Sequence, residues 1–329
     1  AKVVKELYVF QRTPSSIDVR DQRATTADEY ATWPQEKGWA VKRRERLALI
    51  SAGRTALQGN DDFLSGKVKD YKQQRAHDRE LTPKEMIQAQ LNSNFRIMEQ
   101  IRARVDSVVK SPKAAAALKP YYPYGCKRPT FHDEFLPTFN LPHVHLVDTA
   151  PTGVKLINER GIVHDGVEYP LDVLIYATGF EWMGTGSFNM IQGRGGRTLK
   201  EKWETEGTKT FLGMHSAGFP NLFIMNGPQG GGGQFNFTRV AEMHAHYIVW
   251  ALQTVEASGA TTIDVTPEAE DEYARHCAEM DLLSAPLRDC LSYYNGDGTA
   301  KPGSLAYYGG GKRWHDRRAA AQKSMSAYR

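Results

Sequence analysis

The chain has 329 residues, 40% of them apolar and 10% aromatic, a composition that excludes a disordered protein and allows one large domain or two lobes. Forty-two basic residues against 38 acidic ones leave a net charge of +4, which argues against a strongly basic nucleic-acid binder. The longest near-continuous apolar stretch, LDVLIYATGF, is too short to span a bilayer, and AKVVKELYVF lacks the features of a signal peptide. A protein without membrane or nucleic-acid partners is expected.

In chain order, residues Val3 to Phe10 read as the end of a helix running into a strand, ELYVFQR, that stops at Thr13-Pro14. Such an opening resembles the second strand of a βαβ unit whose first strand and Gly-rich turn lie upstream. From about Asp18 to Leu118 the chain is polar and helical in periodicity, with a looser connection near QGNDDFLSGKVKD. Thr82 and Pro83 fit a helix start, as cap and first-turn proline. Basic clusters at Lys42, Arg43, Arg44 and Arg46 and at Lys312, Arg313, Arg317 and Arg318 read as solvated helix faces.

After Tyr121 the pattern becomes α/β. NLPHVHLVDT is a strand candidate, and GVKLINERGIVHDGVEYP reads as a hairpin turning at Asp165-Gly166. LDVLIYATGF and FPNLFIMNGPQGGGGQ are expected as buried strands of a parallel sheet, the first ending at a Thr-Gly turn and the second in glycines. TRVAEMHAHYIVWALQTVEASG is a long helix, with an expected apolar face at Val240, Met243, Tyr247, Val249 and Leu252 and Gly259 at its end. The three cysteines, Cys126, Cys277 and Cys290, have no CxxC spacing and leave one unpaired in any disulfide scheme, which fits a reducing cytoplasm.

Chemistry-bearing candidates are few. The glycines at Gly227 and Gly230 to Gly233 before the long helix either bring backbone N–H groups to an electron-rich ligand or form a surface loop. Arg12-Thr13-Pro14 sits at a strand exit, where open α/β sheets bind ligands; it suits a 2′-phosphate or is a solvated terminus. Lys127-Arg128, in a turn after the aromatic YYPYGC, is a surface pair or an oxyanion stabiliser. HExxH, zinc spacings and GxSxG are absent, so neither a metal nor a nucleophilic serine is expected.

The order QRTP, long helical insertion, CKRP, LPHVHLVDT, LDVLIYATGFE, FPNLFIMNGP and SYYNGDGTAKPG resembles the Baeyer–Villiger monooxygenases across essentially the whole chain. The resemblance implies an α/β fold with two dinucleotide-binding, Rossmann-like domains, present only in part, and a largely helical insertion. It divides the chain into 1–17 and 119–150 of an NADP-binding domain, 18–118 as the insertion, and 151–329 as the C-terminal part of an FAD-binding domain with a tail. It implies that Arg12 and Thr13 bind the NADPH 2′-phosphate with help from Lys127, and that Arg128 is the active-site arginine. That guanidinium keeps its charge near neutral pH and suits the anion that develops during oxygenation. Thr178 and Gly179 match the motif linking the two domains, Asn236 and Phe237 fall beside the flavin, and Gly232, Gly233 and Gln234 line the substrate pocket.

Tyr293 stands where many family members carry a tryptophan that contacts the nicotinamide cofactor. The run of glycines suggests room for a bulky or polycyclic ketone. Both GxGxxG fingerprints and the family's histidine signature are missing, so an N-terminal fragment or chain is expected to supply them. The implied reaction uses FAD, NADPH and O2 to convert a ketone into an ester or lactone. Three rivals are an N- or S-oxidising flavin monooxygenase, a non-catalytic subunit of the same fold, and a basic helical binding module.

Overall fold

The structure, a computed structural model, describes residues 1–33, 36–43, 82–179, 186–230, 236–280 and 310–329. They form two compact units. One holds Ala1–Trp39 and the described part of 63–180; the other holds the described parts of 40–62 and 181–329.

In the first unit a two-stranded parallel sheet pairs β1 (Leu7–Gln11) with β4 (Val144–Asp148) in the register Leu7↔Val144 to Gln11↔Asp148. Both are the strands expected from the alternating apolar runs. The helix end expected before β1 does not form, because Ala1 gives its carbonyl to His143 Nε2 (2.9 Å) and not to a helical turn. A second parallel pair is shorter: β2 (Ile17–Asp18) lies beside β3 (Thr130–Phe131).

Among the described residues this part also holds the helices α1 (Ala27–Ala31), α2 (Pro83–Val108), α3 (Pro112–Leu118) and α4 (Phe135–Thr138). The 26-residue α2 starts where the sequence places it, at a capping box in which Thr82 and Glu85 exchange side-chain and backbone bonds, followed by Pro83. Its apolar stripe, Ile97, Met98, Ile101 and Val105, is buried. Val105 and Val109 pack on Ala115, Leu118, Leu136, Phe139 and Val144, so helix and sheet share one core. The connection at 58–70 lies outside the described residues.

The expected hairpin is present as β6 (Gly161–His164) and β7 (Val167–Pro170), with β5 (Leu156–Asn158) added on its other side. Asp165 and Gly166 both take positive φ, 49° and 78°, as a two-residue type I′ turn requires. A Cβ at Gly161 would stand 2.0 Å from the Tyr169 carbonyl, so only glycine fits there.

Two expectations fail. LDVLIYATGF is not a strand: residues 171–179 carry no ladder, and Val173, Ile175 and Tyr176 are 73%, 82% and 70% exposed. The run has the composition of an interior strand, but no described strand pairs with it. Residues 219–230 also form turns and irregular chain instead of a strand. Here Leu222 and Ile224 pack on Leu199, Trp203 and Phe219, while Phe223 joins a different cluster.

The second unit contains α5 (Ser187–Met190), a 3-10 turn at Arg194–Gly196, α6 (Leu199–Glu206), α7 (Phe237–Ala257), α8 (Pro267–Met280) and α9 (Gly310–Ser324). Its core gathers Phe211, Met214, Tyr247, Val265, Tyr273, Cys277 and Trp314. α7 runs as expected and ends before Gly259 at φ 68°. Its buried face is rotated from the expected one. Val240, His244, Tyr247 and Ala251 are buried, whereas Val249 and Leu252 are 53% and 57% exposed. The rotation follows from polar partners: His244 Nδ1 accepts from the Asn226 N–H (3.2 Å), and the Tyr247 hydroxyl bonds His215 Nε2 (2.9 Å) and Tyr328.

A buried ion pair ties α6 to α8. Lys202 Nζ lies 2.7 Å from Glu270 Oε2, and the same ammonium donates to Ser216 Oγ and the Ala217 carbonyl. Glu270 also accepts from the Ala217 N–H and the Ser216 hydroxyl, so both charges are fully bonded. No described helix is long and apolar enough to cross a membrane.

Candidate functional site

The sheet of the first unit brings two separated cations together. Arg12 leaves the C-terminal end of β1, its alkyl stem over Gly153, and is exposed with Thr13. Lys127 comes from the turn before β3. Burial lowers its pKa, and the neighbouring Arg12 charge lowers it further. Like charges near one another at the end of a parallel strand have the chemistry to attract an anion, at a place where backbone geometry leaves ligands room. These are the two cations that the family resemblance assigns to a 2′-phosphate.

The local structure explains the meeting. β2 follows the Arg12 turn and β3 follows Lys127-Arg128, and their pairing draws the turns together. Thr130 donates to the Ser16 carbonyl through both its N–H (3.1 Å) and its hydroxyl (2.9 Å). Arg104 of α2 bonds the Ile17 carbonyl (2.9 Å). Asp133 accepts from the N–H groups of Arg20, Asp21 and Gln22, and these bonds, led by that from Arg20, hold its carboxyl below the usual range.

Arg128 is exposed and has no hydrogen bond or ion pair among the described residues. Its charge is therefore not committed to another described group. Thr178 and Gly179 are exposed, with Gly179 at φ 95°. Neither touches the cation pair through any described hydrogen bond.

In the second unit, Asn236 is the N-cap of α7, its side chain accepting from the Thr238 and Arg239 N–H groups (3.0 and 3.3 Å). A capping role accounts for the residue locally. Phe237 is 63% exposed, unusual for a large aromatic ring in a helix's first turn. The glycine turn before it packs tightly: a Cβ at Gly213 would lie 2.1 Å from the Gly230 Cα, so two backbones touch. Gly232, Gly233, Gln234 and Tyr293 lie outside the described residues. No cluster of His, Cys, Asp or Glu able to hold a metal occurs among the described residues. Cys126 is disulfide-bonded and Cys277 is free, which sits against the reducing compartment suggested by the cysteine count.

No family model matches the chain. The polycyclic ketone monooxygenase of Thermothelomyces thermophilus is 41% identical over 318 residues, which are 89% of this chain and 48% of that protein. A Baeyer–Villiger monooxygenase of Streptomyces coelicolor is 37% identical over 328 residues, 94% of this chain and 52% of its own length. The solved structure of the Thermothelomyces thermophila polycyclic ketone monooxygenase superposes over the whole chain and 56% of its own, with a TM-score of 0.82 and 33% identity. An oxidised steroid monooxygenase bound to NADP covers the whole chain and 62% of its own, with a TM-score of 0.74 and 27% identity.

Fold and sequence thus define part of a two-domain flavin monooxygenase scaffold. Within that class, the chain belongs with the Baeyer–Villiger monooxygenases. It spans about half the length of the curated relatives it matches.

Residue-level reading of the sequence missed Tyr122 and Asn94, which bond the turn after Arg12 and the loop before Lys127. The aromatic run YYPYGC before Lys127 was the available signal. Nothing in the sequence of α2 distinguishes Asn94 from its polar neighbours.

Proposed function

We propose that this chain is the C-terminal part of an NADPH- and O2-dependent flavin monooxygenase that converts a ketone into an ester or lactone. The observation that carries this reading is that Arg12, at the C-terminal end of β1, lies near enough for its charge to act on Lys127, with Arg128 next in sequence and without a partner among the described residues. Two adjacent cations fit a phosphate monoester, the group that distinguishes NADP from NAD. The chain's own residues fit the phosphate end of NADP, while the pyrophosphate fingerprints for both cofactors would come from an N-terminal fragment or chain. Bound FAD would supply oxygen activation and NADPH the hydride.

Within that arrangement Arg12 and Thr13 grip the phosphate and Lys127 supplements the charge. Arg128 stabilises the negative charge that develops during oxygen transfer, and its planar guanidinium stays protonated throughout the working range. Thr178 and Gly179 act at the link between the dinucleotide domains, and Asn236 and Phe237 border the flavin. Gly232, Gly233 and Gln234 line the ketone pocket, and Tyr293 contacts the nicotinamide cofactor. A bulky or polycyclic ketone is the favoured substrate class, given relatives named for polycyclic ketones and steroids. The exposed apolar side chains of Val173, Ile175 and Tyr176 are what further strands and covering helices of a dinucleotide-binding domain would bury.

The cytoplasm is the proposed compartment, because three cysteines are too few for a disulfide framework. The Cys126 disulfide weighs against it, and a free-thiol count on freshly isolated, denatured protein decides between the two. Arg128→Ala tests the catalytic assignment. The complemented enzyme should lose ester formation while NADPH oxidation stays measurable. Ester formed at the wild-type rate would refute the role.

A further inference from the structure

We infer that Tyr122 is a positioning residue that sets the geometry of the Arg12–Lys127 anion site, with Asn94 of α2 holding the loop on which it sits. The inference rests on the phosphate reading given above.

The Tyr122 hydroxyl makes two bonds to the turn that follows Arg12. It donates to the Pro14 carbonyl (2.9 Å) and accepts from the Ser16 N–H (2.9 Å). Its donor and one acceptor position are thereby both used on that turn. The same side chain reaches the other cation through its ring, with Lys127 Nζ 5.9 Å from the centroid. One half-buried phenol therefore touches the mounts of both charges.

The loop bearing Tyr122 is in turn held by the helical insertion. Asn94 donates through Nδ2 to the Tyr124 carbonyl (2.9 Å) and accepts from the Tyr124 N–H (2.7 Å), a two-point grip on the backbone of one residue. Arg102 donates to the Pro120 carbonyl (2.9 Å) and lies over the Tyr121 ring at 5.1 Å. Thus α2 fastens residues 120–124 at both ends, immediately before Lys127. Like charges separate unless something fixed holds them. Here the fixing elements are Tyr122 on the turn side and Asn94 on the helix side. A site built this way favours a doubly charged phosphate monoester over a neutral hydroxyl at the same place.

The test uses the enzyme carrying this chain together with the half its relatives add, and compares NADPH with NADH. Tyr122→Phe keeps the ring under Lys127 and removes only the hydroxyl. The expected result is a rise of about tenfold in KM for NADPH, from the loss of two hydrogen bonds, with kcat and KM for NADH little changed. Asn94→Ala should shift the same ratio in the same direction, and Asn94→Asp should not restore it, because a carboxylate cannot donate to the Tyr124 carbonyl. A lower melting temperature with an unchanged NADPH-to-NADH ratio would overturn the inference, since that is what a merely structural tyrosine gives. Arg12→Ala separates the two layers. If it abolishes discrimination and Tyr122→Phe does not, the positioning role alone fails. If Arg12→Ala leaves discrimination intact, the phosphate reading fails and takes this inference with it.

Discussion

Residues 171–179 and 219–230 have nearly the same texture in sequence, an apolar run ending in glycine, and they meet opposite fates. In the first, Val173, Ile175 and Tyr176 face outward. In the second, Leu222 and Ile224 settle on Trp203 and Phe219, and Phe223 packs against the ring of His215 at a centroid distance of 4.9 Å. Apolar composition alone places neither segment in a sheet. A central strand needs two neighbours to take its backbone bonds, and an apolar run without them is buried only if local side chains close over it. The second unit has those side chains in α6, α7 and α8; around 171–179 none covers the exposed face among the described residues.

The contrast sharpens most at the buried pair that ties α6 to α8. Glu270→Ala would strand the Lys202 ammonium, only 4% exposed as a residue, without its carboxylate. Breaking such a pair from one side costs about 3–5 kcal/mol, so the urea midpoint of the second unit should fall steeply. Glu270→Gln, which keeps an acceptor for the Ala217 N–H, should lose less. A midpoint that does not move with Glu270→Ala would mean that this unit is not held by its own core.

Acid should probe the same unit through a different set of buried groups. His215 and His244 are buried, and burial lowers both pKa values from 6.5 to about 4. The unfolded chain therefore binds more protons than the folded one between those values. Stability is fully present above about pH 6.5 and is lost as pH falls toward 4, on the order of 3 kcal/mol for each histidine. Carboxylates held below their usual range, Asp133 among them, act only at lower pH still. Denaturant titrations at pH 7.5 and 5 should show this slope, and His215→Gln with His244→Gln should flatten it. An equal slope in the double variant would assign the acid sensitivity to other groups.

How much of this was legible beforehand depended on whether the signal was local. The Thr82–Glu85 capping box, the Asp165-Gly166 turn and the parallel strands at 7–11 and 144–148 are each specified by neighbouring residues, and each forms as read. The rotated face of α7 was not legible, because His244 counts as polar until its Asn226 partner is known. The identities of Arg12 and Lys127 could be read by family resemblance. Tyr122 and Asn94 could not, since their roles are bonds to backbone groups of distant segments. Backbone acceptors leave no trace in side-chain pattern.

The smallest expected effect is the most diagnostic. Ile175→Ser removes an apolar side chain from a residue that is 82% exposed, so in the isolated chain it should change stability by less than about 0.5 kcal/mol. A buried isoleucine would behave differently, since losing its side chain costs about 2–5 kcal/mol. The same substitution made in an enzyme that carries this chain together with the half its relatives add should reach that second range if the added structure packs over residues 171–179. The pair of measurements therefore reads burial at a single side chain with and without a neighbour. A large loss in the isolated chain would mean that 171–179 already finds a cover within it. A negligible loss in both would mean that the Ile175 side chain stays open in the longer enzyme, and the added structure would have to pack elsewhere.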